Sequence, residues 1–484
     1  MAFGARISIC VLVLFALCGP CFMKVVVNVR NLKKAQHIGP TYVGVTIDDG
    51  AIKENWATIN FTSPKFLTLA KGLAPNIVRV GGTGCDFLIF NETTTAIKGI
   101  KDNLTAHTNF TMTVAQWDQL NHFVSEVGWD LIFDLNVFLR KDGHWDPTNA
   151  IELLNYTIAK GYRVAGYELG NELDVFPDSP VNATQVASDF AQLKQLLLSM
   201  PKLAPYFILG TDVGAVDNRS ITFMTEFFEA GGNASIDVAT FHHYYMSSES
   251  ATVEKFHSAK VLESFRLFVI NITNLCKKYI PTKQVWLGET SSSYGGGAHE
   301  ISDRYVASFL WLDKLGVSSK WGIGGVLRQT FYGGNYALID LNLNPNPDYW
   351  LTVLFKRLVA SPVLIPPQPI YPDLRVYAHC TNTNSSMGYK KGSVTMYLMN
   401  LGNMTIPYDL PDYTKHHIYM FSPGDDSGLT SKSIKLNGVV LALANDNELP
   451  PLKPVIGKGT IQVGAYNMGY IVFYDANNLI CLAH

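Results

Sequence analysis

The stretch Gly166-Tyr-Glu-Leu-Gly-Asn-Glu172, followed by the amphipathic segment Gln185–Ser199, carries the pattern on which the fold depends. A short apolar run that ends in polar residues predicts a β-strand, and apolar residues three and four apart predict a helix. The same pattern recurs along the chain up to Thr330. The eight strands that it predicts are Val43–Asp48, Ile77–Gly82, Leu131–Asn136, Gly166–Glu172, Phe207–Val213, Val238–Tyr244, Gln284–Thr290 and Gly322–Thr330. The helices predicted between them include Val114–Val127, Ala150–Lys160, Gln185–Ser199, Glu254–Lys278 and Asp303–Leu315.

Strands that alternate with helices imply a parallel sheet, because each helix carries the chain back to the starting edge. Eight such units over roughly 300 residues fit a closed (β/α)₈ TIM barrel, an α/β fold. An open, doubly wound sheet is the alternative. We expect residues 42–361 to form this barrel.

The pattern changes after Tyr349. One more helix is predicted to about Ala360, and five prolines between Pro362 and Pro372 then interrupt it. Short strands joined by turns, without long helices, predict an antiparallel β-sandwich over residues 362–484. An early strand, Lys24–Arg30 within residues 22–41, is expected to join its sheet. The sandwich strands are predicted at Leu374–Thr381, Ser393–Leu401, His417–Phe421, Ser433–Leu441 and Gly469–Tyr474.

Composition and charge exclude several classes of protein. The chain has 484 residues, of which 47% are hydrophobic and 16% charged, a composition typical of globular rather than disordered proteins. Its formal net charge is −2, so it lacks the broad positive field on which non-specific nucleic-acid binding relies. We therefore expect no nucleic-acid partner.

The first residues have the features of a secretory signal peptide. Arg6 precedes an apolar run from Ile7 to Cys18, and small or turn-forming residues follow, which is the usual order. The run is too short to cross ~30 Å of hydrocarbon. We expect residues 1–21 to be a signal peptide, with no integral membrane segment elsewhere. The mature chain is then secreted, with an extracellular or lysosomal location.

Cysteines and glycosylation sequons also indicate the secretory pathway. Outside the signal region and Cys21, the cysteines are Cys85, Cys276, Cys380 and Cys481, which allows one or two disulfides. A bridge between the last two would close a loop of about 100 residues and restrict the unfolded chain. No cysteine–histidine spacing indicates zinc. Asn-x-Ser/Thr sequons occur at Asn60, Asn91, Asn103, Asn109, Asn155, Asn182, Asn218, Asn233, Asn271, Asn384 and Asn403.

Two glutamates lie at strand ends that a TIM barrel brings to its active-site face. Glu172 ends the fourth predicted strand and Glu289 ends the seventh, and such a barrel builds its active site at the carboxyl ends of its strands. Glycosidases need one protonated and one ionised carboxyl group beside the scissile bond. We therefore expect a glycosidase pair, with Asn171 hydrogen-bonded to a sugar hydroxyl. Each glutamate taken alone is also compatible with a surface salt bridge.

Other polar residues fall at or just beyond strand ends. His242 and His243 are adjacent and therefore point to opposite sides of a strand, which argues against a metal pair. At most one of them faces the barrel mouth, where it is expected to contact Glu289 or the substrate. The Gly295-Gly-Gly297 loop has the freedom to bring backbone N–H groups close to a substrate carboxylate, although glycine runs are also plain turns. Further candidates for sugar contact are Asp48, Thr83, Gln329 and Tyr336.

At these residues the sequence resembles the heparanase family of glycoside hydrolases, which are retaining endo-β-glucuronidases. The stretches that carry the resemblance are Arg79-Val-Gly-Gly-Thr83, Glu168-Leu-Gly-Asn-Glu172, Phe241-His-His-Tyr-Tyr245, Trp286-Leu-Gly-Glu-Thr-Ser-Ser292, Tyr294-Gly-Gly-Gly-Ala298, Trp311-Leu-Asp-Lys-Leu-Gly316, Asn346-Pro-Asp-Tyr-Trp350 and His379-Cys-Thr-Asn382. The resemblance implies that Glu172 is the acid/base, that Glu289 is the nucleophile and that Cys380 pairs with Cys481. It implies a glucuronate subsite lined by Asp48, Thr83, Asn171, Tyr244, Gly295, Gly296, Gln329 and Tyr336. No cofactor or metal is implied, and we expect a monomer acting on a glycosaminoglycan.

Two departures from the family pattern matter. Vertebrate heparanases have a long excised segment where Asn91–Thr113 is short, so we expect a single-chain enzyme. The segment Val216–Ser220 is nearly neutral and Ser247-Ser-Glu-Ser250 has no cation, whereas a sulfated polymer needs cations. Hyaluronan, the substrate of leech-type hyaluronidases in the same family, therefore becomes as strong a candidate as heparan sulfate. An exo-acting β-glucuronidase and a non-catalytic carbohydrate-binding or adhesion protein are the alternatives.

Overall fold

The computed structural model describes residues 27–91, 109–175, 181–412 and 414–484. The predicted signal peptide lies outside these residues, as does most of the short segment Asn91–Thr113. Within the described ranges, no helix is long and apolar enough to span a membrane.

A closed barrel of eight parallel strands forms the centre of the molecule. Each strand pairs with its neighbours in the chain, and the eighth pairs with the first through Val326 and Val43. The fold class predicted from the sequence is thus confirmed, and the open sheet is excluded. The strands, called the first to the eighth barrel strand below, are Val43–Asp48, Asn76–Gly81, Trp129–Leu135, Gly166–Leu169, Phe207–Val213, Val238–His243, Gln284–Thr290 and Gly325–Arg328.

Most of the helices pack around the barrel, and several of them start at a residue whose side chain caps the first turn. The Thr113 and Asn182 side chains each accept the backbone N–H of a glutamine three residues later and complete a capping box, which satisfies donors free at a helix start. The predicted helix Glu254–Lys278 is in fact two helices, and Asp303–Leu315 is displaced toward the carboxyl end. The helices are Gly50–Lys53, Pro64–Lys71, Val114–Val127, Thr148–Lys160, Ala183–Leu198, Asn218–Glu229, Val253–Phe256, Ala259–Tyr279, Ala307–Lys320, Pro347–Leu358 and Leu479–Ala483.

The carboxyl-terminal region forms an antiparallel sheet of nine strands, faced by a two-stranded sheet. In the strand Val394–Asn400, Tyr397 and Met399 pack into the barrel-side core, whereas Met396 and Leu398 pack toward the small sheet. Alternate side chains of one strand point to opposite faces, so both faces of the large sheet are buried. The strands of the large sheet, in spatial order, are Lys33–Lys34, Val359–Ile365, Leu374–Thr381, Val394–Asn400, Met468–Phe473, Lys415–Pro423, Ile434–Leu436 and Val439–Val440, with Val455–Lys458 also on Lys415–Pro423. The small sheet pairs Ile406–Tyr408 with Ile461–Val463.

Two predicted segments of the sandwich differ in the structure. The described part of the predicted strand Lys24–Arg30 is a coil leading into a 3₁₀ turn at Val29–Asn31, because the Asn28 side chain accepts the Arg30 N–H. The chain instead joins the sheet a few residues later, where Lys33–Lys34 pairs with the strand Val359–Ile365. The predicted strand Ser433–Leu441 is a hairpin whose turn lies at Asn437-Gly438, where both residues have positive φ.

A disulfide joins Cys380 to Cys481, which are 101 residues apart in the sequence. It ties the short final helix to the sheet. Cys85 and Cys276 are buried free thiols.

Candidate active site

Glu172 and Glu289 lie together at the carboxyl ends of the barrel strands. The fourth strand ends at Leu169, and Gly170 and Glu172 then adopt positive φ values of 85° and 52°. The Glu172 N–H donates to the Asp212 carbonyl of the fifth strand over 2.9 Å, which fixes the turn. One carboxylate oxygen of Glu172, one of Glu289 and one ring nitrogen of His242 all lie within 4.8 Å of one another.

Arg79 is the centre of the hydrogen-bond network below these glutamates. This fully buried side chain, in the second strand, donates to Glu168 over 2.6 Å, to Glu289 over 2.9 Å and to Asn171 over 2.9 Å. Burial opposes the charged guanidinium, but the surrounding carboxylates outweigh it and hold the pKa of Arg79 well above its usual value. Arg79 therefore orients residues from the fourth and seventh strands with one rigid group.

Glu289 is the more enclosed carboxylate of the pair, with a side chain 10% exposed against 21% for Glu172. Its two oxygens accept hydrogen bonds from Arg79 and, over 2.5 Å, from the Tyr244 hydroxyl. Burial raises the pKa of Glu289, while His242, Arg79 and the Tyr244 hydrogen bond act in the opposite direction. The two donors hold the carboxylate in a fixed orientation and favour its ionised form.

His242 is buried between two carboxylates. Its Nδ1 lies 2.8 Å from Glu172 Oε1, and its Nε2 lies 3.3 Å from Asp212 Oδ1. Burial favours the neutral ring, but the hydrogen bonds to Asp212 and Glu172 outweigh it and raise the pKa of His242 to about 10. Both ring nitrogens are therefore protonated and donate. Although Glu172, His242 and Glu289 are close enough to surround a metal ion, an imidazolium has no free lone pair for one.

From the sequence we expected the histidine that faces the barrel mouth to contact Glu289 or the substrate. In the structure, the hydrogen-bond partners of His242 are instead Glu172 and Asp212. His243 points the other way, as alternation along a strand requires. Its ring packs against Tyr245 and Phe265, and burial holds its pKa well below the usual value. His243 is therefore a neutral core residue.

Asn171 connects Arg79 to the loop after the second strand. Its Oδ1 accepts from Arg79, its Nδ2 donates to the Thr83 hydroxyl over 3.3 Å, and its backbone N–H donates to Asp86. Thr83 is half-buried at the edge of this cluster.

The remaining predicted residues form the opposite wall of the site. Gln329 Nε2 donates to Asp48 Oδ2 over 3.0 Å and to the Tyr336 hydroxyl over 3.3 Å. The Tyr336 ring stacks on Tyr244, with centroids 6.4 Å apart. The wall is therefore continuous from Asp48 to the tyrosine bonded to Glu289.

The glycine loop packs on this wall. Gly295 and Gly296 both have φ of 82°, a conformation that favours glycine. The Gly296 carbonyl accepts the N–H of Asn335, the residue before Tyr336, over 2.8 Å. The structure thus brings every candidate sugar-contacting residue named from the sequence to one end of the barrel.

Several charged residues of the site were not identified as such from the sequence. Each of them precedes the apolar last residue of its strand, and the only signal in the sequence is that a charged residue within an apolar run needs a partner when it is buried. Glu168 and Asp212 are examples, each fully buried beside Arg79 or His242. Asp134 is a third, and burial holds its pKa well above the usual value.

Asp174 and Gly214 form a clamp beside Glu172 that was also missed. The Asp174 carboxylate accepts the Gly214 N–H over 2.8 Å and the Ala215 N–H over 3.0 Å. Gly214 is thereby held so close to Glu172 that a Cβ atom there would lie 2.3 Å from the Glu172 Cδ. Only glycine leaves room for the observed position of the Glu172 carboxyl group.

Comparisons with known proteins agree with this geometry. The family model described as glycosyl hydrolase family 79, N-terminal domain, matches residues 53–316. Mouse heparanase is 36% identical over 92% of this chain and 92% of its own. A hyaluronoglucuronidase of the leech Hirudo nipponia is 31% identical over 95% of this chain and 99% of its own. A solved 4-O-α-L-rhamnosyl-β-D-glucuronidase from Fusarium oxysporum superposes with a TM-score of 0.68 at 14% identity, covering 92% of this chain and 99% of that one, which supports the fold alone.

Proposed function

This chain belongs to glycosyl hydrolase family 79, and from that membership we propose that it is a retaining endo-β-glucuronidase acting on glycosaminoglycan chains. The observation that carries the proposal is the pair of carboxylate oxygens, one from Glu172 and one from Glu289, within 4.8 Å of each other. Retaining glycosidases hold their two carboxyl groups roughly 5–5.5 Å apart, whereas inverting enzymes need about 6.5–9.5 Å to admit a water molecule. The observed spacing favours retention.

In the proposed mechanism Glu289 is the nucleophile and Glu172 the acid/base. Glu289 attacks the anomeric carbon of a β-glucuronate while Glu172 gives its proton to the leaving oxygen. Glu172 then removes a proton from water as the water oxygen attacks the anomeric carbon, and the bond between that carbon and Glu289 breaks. The assignment rests on environment: Glu289 is held by Arg79 and Tyr244, whereas the more exposed Glu172 can exchange protons with solvent.

His242 is proposed to position Glu172 rather than to bind sugar. Its Nδ1–H holds Glu172 Oε1, which leaves the second oxygen free to carry the proton. The positive imidazolium also offsets the repulsion between the two glutamates when both are ionised.

The glucuronate subsite is proposed to lie between the Asn171–Thr83 side and the Tyr336 wall. Asp48, Gln329 and Tyr336 supply polar groups for the sugar hydroxyls. The backbone N–H groups of Gly295 and Gly296 are proposed to bind the glucuronate carboxylate, since a glycine loop allows close backbone approach.

The charge of the strand-end loops supports an unsulfated polymer such as hyaluronan over highly sulfated heparan sulfate. Arg140 is paired with Asp189 and Arg219 with Asp217. Arg304 is likewise paired with Glu300 and Asp303. Sulfate groups would have to compete with these carboxylates for each guanidinium.

Product analysis tests the reaction. Purified protein is incubated with hyaluronan, heparan sulfate and chondroitin, and the new reducing-end sugar is identified. Glucuronate at that end, in products of several sizes, supports endo-glucuronidase action, whereas N-acetylhexosamine contradicts it. Release of monosaccharide alone would favour the exo-acting alternative.

The E289Q variant is the matched control, because it keeps the size of the side chain and removes the nucleophile. It should fold with an unchanged circular dichroism spectrum and lose turnover. A mechanism-based glucuronide should label Glu289 covalently in the wild type. Absence of both turnover and labelling would favour the non-catalytic carbohydrate-binding alternative.

Secretion and glycosylation are part of the proposal. They are supported by the signal-like sequence, the sequons and the Cys380–Cys481 disulfide, a bond typical of oxidising compartments. Expression in animal cells, with detection of the mature, glycosylated chain in the medium or in lysosomes, tests them.

A further inference from the structure

Two adjoining cavities lie at the end of the barrel opposite the candidate active site. One, of about 570 Å³, lies between the starts of the first two strands and the loop Asn382–Ser386. The other, of about 480 Å³, covers the amino ends of the strands, where Phe207 and Gln284 are first residues. Both cavities share Ile38 and Gly39 as lining residues. We call the combined depression the basal groove.

The first cavity of the basal groove is lined by basic side chains. Lys71, Lys356 and Arg357 line it, and no carboxylate does. Lys71 is paired with Glu126 on the outer side. The Lys356 ammonium is held by two backbone carbonyls at 2.6 and 2.7 Å, and burial lowers its pKa to about 7.

Arg357 is the uncommitted cation of this cavity. No carboxylate of the described chain lies within ion-pair distance of it, although its surroundings bury it enough to lower its pKa. A partly buried guanidinium without a counter-ion is costly, and an incoming anion offsets that cost. Arg357 can therefore pair with a carboxylate or sulfate group that enters the groove.

The second cavity offers a surface suited to a sugar ring. Phe207 is 46% exposed, an unusual degree for an aromatic side chain on a barrel strand, and its ring lies 6.3 Å from that of Trp286. Aromatic faces pack against the apolar faces of sugars, while polar groups fix orientation. Asp130 and Gln284 in the same wall provide acceptors and a donor for hydroxyl groups.

From the free arginine in one cavity and the exposed aromatic ring in the other, which adjoin at Ile38 and Gly39, we propose that the basal groove is a second, non-catalytic binding site for an anionic polysaccharide. A carboxylate or sulfate group binds Arg357, and a sugar ring further along the same polysaccharide chain packs on Phe207. The inference rests on the proposed function in one respect: it assumes that this polysaccharide is the polymer that the enzyme cleaves. Because the groove and the catalytic glutamates are at opposite ends of the strands, the groove anchors a chain and takes no part in its cleavage.

Three substitutions test the groove without touching the active site. Arg357→Gln removes the cation, and Phe207→Ser removes the sugar-facing ring. Gly39→Trp fills the junction of the two cavities, because a Cβ at Gly39 meets no atom within 4 Å. The control is Lys458→Ala, which also removes a cation but lies on an exposed strand of the sandwich, away from the groove.

Each variant is assayed on a small aryl β-glucuronide and on the polymer. We expect unchanged kcat/KM on the small substrate and a KM for the polymer raised about 5- to 10-fold, the loss of one charge-assisted contact. Lys458→Ala should match the wild type on both. An unchanged polymer KM in Arg357→Gln and Phe207→Ser overturns the proposal, and loss of both activities together indicates general damage and also counts against it.

Direct binding separates this inference from the proposed function. On the E289Q background, calorimetry is carried out with hyaluronan and with heparan sulfate oligosaccharides; binding of hyaluronan shows that a carboxylate suffices, and binding of heparan sulfate alone indicates that a sulfate is needed. If the E289Q protein shows two binding events and the protein that also carries Arg357→Gln shows one, the result supports a binding site in the groove, even if the wild-type enzyme proves inactive. A single event that is insensitive to all three substitutions refutes it, whatever the activity.

Discussion

Replacing Gly214 by alanine tests whether the position of Glu172 controls catalysis. The added Cβ would lie 2.3 Å from the Glu172 Cδ and 2.5 Å from its Oε1. Gly214 itself does not have positive φ, so the backbone accepts alanine. The clamp from Asp174 prevents the glycine from moving away, and the glutamate side chain must yield instead.

The size of the effect follows from this geometry. Ordinary contacts of a Cβ begin at 3.4 Å, so the Glu172 carboxyl group must move by about 1 Å and leave His242. A misplacement of that size costs ~100-fold in rate, equivalent to about 2.7 kcal/mol of transition-state stabilisation. The cost in folding stability should be smaller, at about 1 kcal/mol, because Glu172 is partly exposed and can move toward solvent.

Aryl β-glucuronides with leaving groups of different pKa provide the assay. Substrates with poor leaving groups need the proton of Glu172 and should lose about 100-fold in kcat/KM. Substrates with good leaving groups should form the glycosyl–enzyme intermediate at the normal rate, but hydrolysis of that intermediate should be slow. The result is a burst of released leaving group, and azide should restore turnover by attacking the intermediate in place of water. Gly39→Ala, whose Cβ meets no neighbour, is the control. Equal activity of Gly214→Ala and wild type across the series would refute the reasoning.

Two further predictions concern stability. The pKa of His242 is raised from 6.5 to about 10 in the folded state. Its contribution to the free energy of unfolding is therefore complete below pH 6.5 and is lost as the pH rises through 10. The unfolding free energies of wild type and His242→Gln should therefore differ most at pH 6 and converge by pH 10, and a constant difference would contradict the assigned charge. Replacing Cys380 and Cys481 together by serine should destabilise the sandwich by about 2–5 kcal/mol, since the disulfide closes a long loop. Thermal melts should show the same loss in reduced wild type, and no response of the variant to reductant.

The positions of the strands were well predicted because each obeys a local rule. All eight barrel strands lie where apolar runs end in polar or glycine residues. The exact ends were less predictable: the fourth strand stops at Leu169 rather than Glu172 because Gly170 turns the chain. That turn is what separates Glu172 from the strand and aims it into the site.

The interior of the site was beyond local reasoning. Arg79 and Glu168 lie within apolar strands, and nothing in their immediate neighbours shows that they meet each other. Gly214 likewise resembles any loop glycine until Glu172 is placed beside it. Such residues become identifiable only when strands distant in sequence are brought together.

Arg79 has a consequence for how activity arises during folding. Its three partners are 89, 92 and 210 residues away along the chain, so the guanidinium acquires them only when the barrel closes. A nascent or partly opened chain holds the seventh-strand glutamate without its orienting group. Hydrolytic competence is therefore cooperative with the tertiary structure as a whole, and heat inactivation should coincide with global melting rather than precede it.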